Sequence, residues 1–259
     1  MLKLEAFTDD YFPEVVVDRE KEKLALKDYL LKVLEGRKNA FYIYGIPGIG
    51  KTTITKYVLN QFEDANENSE ILYVNCEIST PNLTMKEIHD IICGETSAKL
   101  PSNYYLRRIL NRKIKEKDFT LVIALDHFDR MSRVIDLLWK LYHISLKIPR
   151  FGLILISTSE LNLRFIGKRL YSRLNPILYE FKPYNAMQLY EILKARLKEV
   201  YDRKIAEKSA LRTLANYVAS RSGNVREMFQ LFLDALDFAQ TNGMKVLISK
   251  VIVQVTNRK

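Results

Sequence analysis

Cysteine is nearly absent. The chain of 259 residues holds two, Cys76 and Cys93, both among apolar neighbours, and it has no C-x-x-C pair or His/Cys cluster. That pattern argues against a disulfide scaffold and a structural metal, and both thiols read as reduced core residues. No apolar run reaches membrane-spanning length. The opening Met1-Leu2-Lys3-Leu4-Glu5 carries an early acid where a signal peptide would be apolar. A soluble, cytoplasmic protein without a membrane partner is expected. Acidic residues are in deficit, 31 against 41 Lys and Arg, for a formal charge of +10. Such a balance favours a polyanionic partner such as nucleic acid. Internal repeats and low-complexity segments are missing. The remainder is ordinary globular material, with 47% apolar residues over a length that suits one large domain or two smaller ones.

Glycine is sparse too, nine in the chain, yet three fall within positions 45–50. Gly45-Ile46-Pro47-Gly48-Ile49-Gly50-Lys51-Thr52-Thr53 fits the phosphate-loop pattern G-x-x-x-x-G-K-[ST] without a mismatch. The β-prone run 41–44 precedes it and a helical stretch follows, which is the strand–turn–helix setting the motif needs. The chemistry is anion capture. Backbone N–H groups converge on phosphates, the helix N-terminus adds partial positive charge, and glycine lets the backbone approach closely. Gly45, Pro47, Gly48, Ile49, Gly50, Lys51, Thr52 and Thr53 are candidate ATP/ADP-binding residues. Lys51 would reach the β- and γ-phosphates, and Thr52 would ligate Mg²⁺.

The order of elements is that of an α/β protein. A helix is expected over 19–35, N-capped by Asp18, apolar along Leu24, Leu26, Leu30, Leu31 and Leu34, and closed by Gly36. Strands are expected at 41–44, 71–76, 119–126 and 151–158. Helices are expected at 52–62, 84–93, about 105–115 and 133–146. Strands alternating with helices imply a parallel sheet covered by helices on both faces. From Pro183 the strand pattern stops, and 185–200, 207–220 and 224–240 read as amphipathic helices. The β-branched stretch 246–255 suits helix or strand, with helix preferred. The expected division is a nucleotide-binding core over 1–181 and a small all-helical lid over 182–259.

A phosphate loop needs an acidic partner at the end of a neighbouring buried strand. Asp126, after five apolar residues, fits that role as a second Mg²⁺ ligand. Many such ATPases follow it with Glu, the base that polarises water. Here the next residue is His127, whose neutral imidazole can accept a proton but differs in geometry and charge. Slow turnover is expected, with Asp129 a possible substitute base.

These pieces resemble an AAA+ ATPase of the archaeal and eukaryotic origin-recognition/Cdc initiator family over almost the whole length. Tyr11-Phe12-Pro13-Glu14 with Arg19-Glu20 resembles the N-terminal segment that lies against adenine, which implicates Tyr11 and Pro13. Leu125-Asp126-His127-Phe128-Asp129 resembles the Walker B pattern with Glu replaced by His. Residues 157–161 resemble sensor 1, with Ser159, or Thr158 if the register slips by one, where the family has Asn. Arg169 matches an arginine that acts on a neighbouring subunit's ATP, and Arg173 is a second candidate. Phe181-Lys182-Pro183-Tyr184-Asn185-Ala186 resembles the entry to the lid, which implicates Tyr184. Gly223-Asn224-Val225-Arg226 resembles sensor 2, so Arg226 would reach the γ-phosphate. The resemblance further implies that the family's C-terminal winged-helix DNA-binding domain is absent.

Arg107, Arg108, Arg112 and Lys113, with Lys115 and Lys117, crowd one segment whose position matches the family's initiator-specific helix. It is a candidate for phosphate contacts to DNA, and a solvated charged face is the competing reading. The expectation is an ATP-regulated DNA-binding protein with slow hydrolysis, joined by a neighbouring AAA+ subunit or another replication protein. Two alternatives stay open: a non-hydrolysing ATP switch, and a helper or signalling ATPase acting on a protein partner.

Overall fold

The computed structural model describes residues 4–8, 11–94, 96, 98–111, 119–201, 205–244 and 246–257. They form two compact units, one from Glu20–Gly45 and Ile54–Phe181, the other from Met1–Arg19, Ile46–Thr53 and Lys182–Lys259.

The first unit is built on a parallel sheet. Its strands are β1 (Ala40–Tyr44), β2 (Ser69–Asn75), β3 (Thr120–Asp126), β4 (Arg150–Ile156) and β5 (Ile177–Glu180), in the order β2-β3-β4-β1-β5. The register aligns Asn75 with Asp126, Asp126 with Ile156, and Ile156 with Ile43, so four strands end level. Every residue of β3 is buried, which explains why its sequence is apolar without alternation. The chain therefore adopts the α/β architecture expected of it. Helices α1 (Glu20–Leu34), α2 (Lys51–Ala65), α3 (Pro81–Cys93), α4 (Ser102–Asn111), α5 (Val134–Ser145) and α6 (Lys168–Leu174) accompany the strands. Thr80 caps α3 through its hydroxyl, with Pro81 at the first helical position and Gly94 (φ 63°) closing the other end. Tyr29 ties α1 to β4. Its hydroxyl accepts from the Leu153 N–H at 2.8 Å and donates to the Leu153 carbonyl at 3.1 Å.

Three details depart from expectation. The buried face of α1 is Lys23, Leu26, Tyr29, Leu30 and Val33, whereas Leu24 and Leu31 are 59% and 57% exposed. Leu24 lies two residues before Leu26, roughly 200° around the helix, so one stripe cannot bury both. Asp18 does not cap the second or third helical N–H. Asp18 and Arg19 both take positive φ (65° and 66°), and the Asp18 carboxylate accepts from the Arg19 N–H at 2.7 Å. Strand β5 and helix α6 were not anticipated. Three of the four β5 positions are exposed, as an edge strand allows, and α6 has only seven residues.

The second unit is largely helical. It holds α7 (Ala186–Val200), α8 (Lys208–Arg221), α9 (Val225–Thr241) and α10 (Ser249–Thr256). Asn185 and Gln188 form a reciprocal capping box on α7. A turn at Leu4–Phe7 sets the Phe7 ring against Phe229 and Phe232 of α9, with centroids 5.3 and 5.6 Å away. The β-branched stretch 246–255 resolves mainly as helix, preceded by a single parallel bridge from Leu247 to Ala206. Among the described residues no helix is long and apolar enough to cross a membrane.

Candidate functional site

The chain leaves β1 through the glycine loop and enters α2 at Lys51. Gly45, Gly48 and Gly50 take φ values of 148°, 74° and 85°, so each glycine of the motif is used where a side chain would strain the backbone. Helix α2 starts at the motif lysine, which leaves its first N–H groups to the loop. The Lys51 ammonium is held within the loop by the Ile46 carbonyl at 2.8 Å. Ile49 is fully buried and anchors the turn, Pro47 is exposed, and Thr52 and Thr53 are half-buried.

Three residues outside the motif, Arg19, Tyr184 and Asn224, pack against this loop. Arg19 is buried, donates to the carbonyls of Ile49 at 3.3 Å and Lys182 at 2.5 Å, and lies 3.8 Å over the Tyr184 ring. Tyr184 in turn fills the space above Gly50, where a Cβ would strike its hydroxyl. Asn224 caps α9 by accepting from the N–H groups of Arg226 at 2.8 Å and Glu227 at 3.4 Å. Its amide occupies the space a Cβ on Gly48 would need, and the Val225 N–H donates to the Gly48 carbonyl at 2.9 Å. Gly48 and Gly50 are thus required by their neighbours as well as by φ. Arg226 follows on the exposed side of α9. The helix over 224–240 was legible in the sequence; the cap by Asn224 and the loop-fixing role of Arg19 were not read from it. Tyr11 donates to Glu199 at 2.8 Å and lies 4.4 Å from the Arg196 guanidinium, while Pro13 is buried. Burial and the Glu199 carboxylate raise the Tyr11 phenol above its ordinary pKa.

The acidic half of the motif set lies in the other unit. Asp126 ends β3 and is 4% exposed. One oxygen accepts from the Tyr73 hydroxyl at 2.6 Å, the other from the His127 N–H at 2.9 Å. These two bonds help to orient the carboxylate. His127 adopts a left-handed backbone (φ 54°), a region His enters more readily than most residues. Its ring stands 3.8 Å from Asp126 and 3.9 Å from Glu77. Asp129 is held by Ser157 at 2.6 Å and Asn162 at 2.9 Å, so its oxygens are engaged in a structural cluster. Cys76 lies behind the site, and its thiol is pushed up to about 12 by burial, with the charges of Asp126 and Asp129 adding to the shift. Both cysteines are free and buried.

Ser159 caps the following turn, its hydroxyl accepting from the Leu161 N–H at 3.2 Å. The polar groups joined to Asp129 are Ser157 and Asn162 instead. Arg169 lies 5.6 Å over Trp139, and Arg173 lies 5.7 Å over Tyr142. Arg107 and Arg108 are exposed on α4, and Arg108 is 5.9 Å from the Tyr104 ring. Arg112, Lys113, Lys115 and Lys117 lie outside the described residues.

Chemically, the loop offers backbone N–H groups and one ammonium to phosphate oxygens. The Thr52 hydroxyl in one unit and the Asp126 carboxylate in the other are each hard oxygen donors of the kind Mg²⁺ takes. Among the described residues no cluster of three or more His, Cys, Asp and Glu could cage a metal by itself.

Known proteins agree with this reading. The sequence profile of the AAA domain family matches residues 34–165. The ORC1-type DNA replication protein of Thermoplasma volcanium is 28% identical over 257 residues, covering 96% of this chain and 63% of that protein. The ORC1-type DNA replication protein 1 of Sulfurisphaera tokodaii is 27% identical, with 94% and 63% covered. This chain therefore spans less than two thirds of these relatives' length. The Aeropyrum pernix ORC1 protein, solved in complex with DNA, superimposes with a TM-score of 0.77 at 22% identity, covering 99% of this chain and 69% of that one. Cdc6p from Pyrobaculum aerophilum gives 0.77 at 19% identity, with 95% and 68% covered. By its phosphate loop, its sheet and the matching profile, the chain belongs to the AAA domain family, and it is similar to ORC1-type DNA replication proteins.

Proposed function

We propose that this chain binds Mg-ATP, hydrolyses it slowly and engages DNA mainly through phosphate contacts. The observation that carries the reading is the complete phosphate loop, with positive-φ glycines feeding the N-terminus of α2. In this reading Lys51 neutralises the β- and γ-phosphates, while Thr52 and Asp126 hold Mg²⁺. Bound Mg²⁺ would supply charge neutralisation at the transferring phosphate. Tyr73 keeps the Asp126 carboxylate oriented, and Arg19 and Asn224 keep the loop in its binding shape. Arg226 approaches the γ-phosphate, and Tyr11, Pro13 and Tyr184 serve the nucleotide end of the site. Ser159 stands where a polar sensor is expected, and Arg169 is the candidate finger toward a neighbouring subunit. The DNA assignment draws on the exposed Arg107 and Arg108, the basic segment that follows, and relatives named for DNA replication. A cytoplasmic location fits this reading.

Hydrolysis should be slow because an imidazole, held on a left-handed backbone between two carboxylates, replaces the usual Glu. The same observation favours a second reading, a switch that binds ATP and signals to a partner with hardly any turnover. ATP turnover and duplex binding, measured on one preparation with and without each ligand, test both. Measurable turnover with salt-sensitive DNA binding supports the first. Tight ATP binding without turnover supports the second, and no ATP binding contradicts both.

A further inference from the structure

A second concave site lies on α5 and α6. Trp139, Tyr142 and His143 from α5, with Arg169 and Arg173 one turn apart on α6, line an open cavity of about 450 Å³. Arg169 lies over Trp139, while Arg173 lies over Tyr142 and donates to its hydroxyl at 3.1 Å. The His143 ring is tilted 31° to Trp139, with centroids 6.5 Å apart. Among the described residues neither arginine has a carboxylate partner, and Asp136, the acid on this stretch of α5, is engaged by Lys140. The lining is therefore two oriented guanidinium forks and three π-faces, with no aliphatic side chain and no negative charge.

We propose that this cavity binds single-stranded nucleic acid, one nucleotide at a time. Guanidinium forks match phosphate oxygens bidentately, and aromatic faces stack on bases. The volume falls in the range of sites that enclose a small ligand. An acidic peptide would use the two arginines and leave three rings idle. In a duplex the bases are already stacked and out of reach of such a platform. Few groups are present to read base edges, so binding should tolerate any sequence. This inference does not rest on the phosphate loop, and the oligonucleotide titration is run without ATP. It uses Arg169 differently from a finger on a neighbouring subunit's ATP, and the test separates the two.

Trp139 is the chain's single tryptophan, so its fluorescence reports this cavity alone. The full chain is titrated with an oligothymidylate of about 12 nucleotides, within the site size of aromatic–basic grooves. Saturable quenching is expected. Arg173→Ala and Arg169→Ala/Arg173→Ala, both at exposed positions, should bind about tenfold or more weakly, and each lost arginine should reduce the salt slope by about 0.7. Trp139→Phe, followed by anisotropy of a labelled strand, should also bind more weakly. The inference is overturned by unchanged affinity in the double variant. It is equally overturned if a hairpin duplex or polyglutamate quenches as strongly as the single strand. Quenching by ATP that exceeds quenching by the oligonucleotide assigns the cavity to a neighbour's nucleotide instead.

Discussion

At the scale of single residues, His127 carries the sharpest functional consequence. A carboxylate general base is worth roughly 10²–10⁴-fold, so His127→Glu should raise kcat for ATP hydrolysis within that range. The gain comes at a structural cost. His127 sits at φ 54°, where Glu is strained by about 1 kcal/mol, so the faster variant should also melt earlier. Steady-state phosphate release and thermal melting check both parts. A variant no faster than wild type, with unchanged ATP affinity, removes this explanation of slow turnover. Cys76 gives a second residue-scale expectation. Its thiol is buried and pushed up to about 12, so almost none is thiolate at pH 8. Alkylation followed by mass spectrometry should leave Cys76 unmodified in the native protein and label it fully in denaturant.

Among the elements, α9 shows how a helix terminus is joined to the loop. Asn224 caps two of its N–H groups and packs against Gly48. Asn224→Ala should cost about 1 kcal/mol of stability, and Asn224→Gly only a few tenths. Denaturant titration of the three proteins checks the order; equal stability of all three would show that the cap contributes nothing. The same element marks what sequence reveals. A helix was expected over 224–240 and α9 spans Val225–Thr241, but its cap by Asn224 was not part of that expectation. Strands β1, β3 and β4 were legible because parallel strands buried on both faces read as unbroken apolar runs, and β2 because Ile71-Leu72-Tyr73-Val74 is apolar although the strand lies at a sheet edge. Strand β5 was not, since Ile177-Leu178-Tyr179-Glu180 offers only four residues, three of them exposed. The phosphate loop was legible in full from its spacing. Arg19 and Tyr73 were not, because their partners are brought to them only by the fold: Ile49 and Lys182 for the first, Asp126 for the second.

For the whole molecule the governing quantity is charge. An excess of ten positive charges, with exposed Arg107 and Arg108 on α4, predicts DNA affinity that falls steeply with salt. Arg108→Ala/Arg112→Ala should lower the duplex salt slope by about 0.9 for each lost contact, similarly on unrelated sequences. Fluorescence anisotropy across a salt series reads it. Retained affinity and slope would identify a solvated helix face and favour a protein partner.

The central claim is that the glycine loop holds ATP, and one comparison tests it most directly. Lys51 donates to the Ile46 carbonyl of its own loop, so Lys51→Ala should leave the fold intact while removing the ammonium that neutralises phosphate. Isothermal titration of Mg-ATP into wild type and Lys51→Ala should give a clear binding isotherm for the first and none for the second, with matching circular dichroism. Equal ATP affinity in the two proteins would contradict the account.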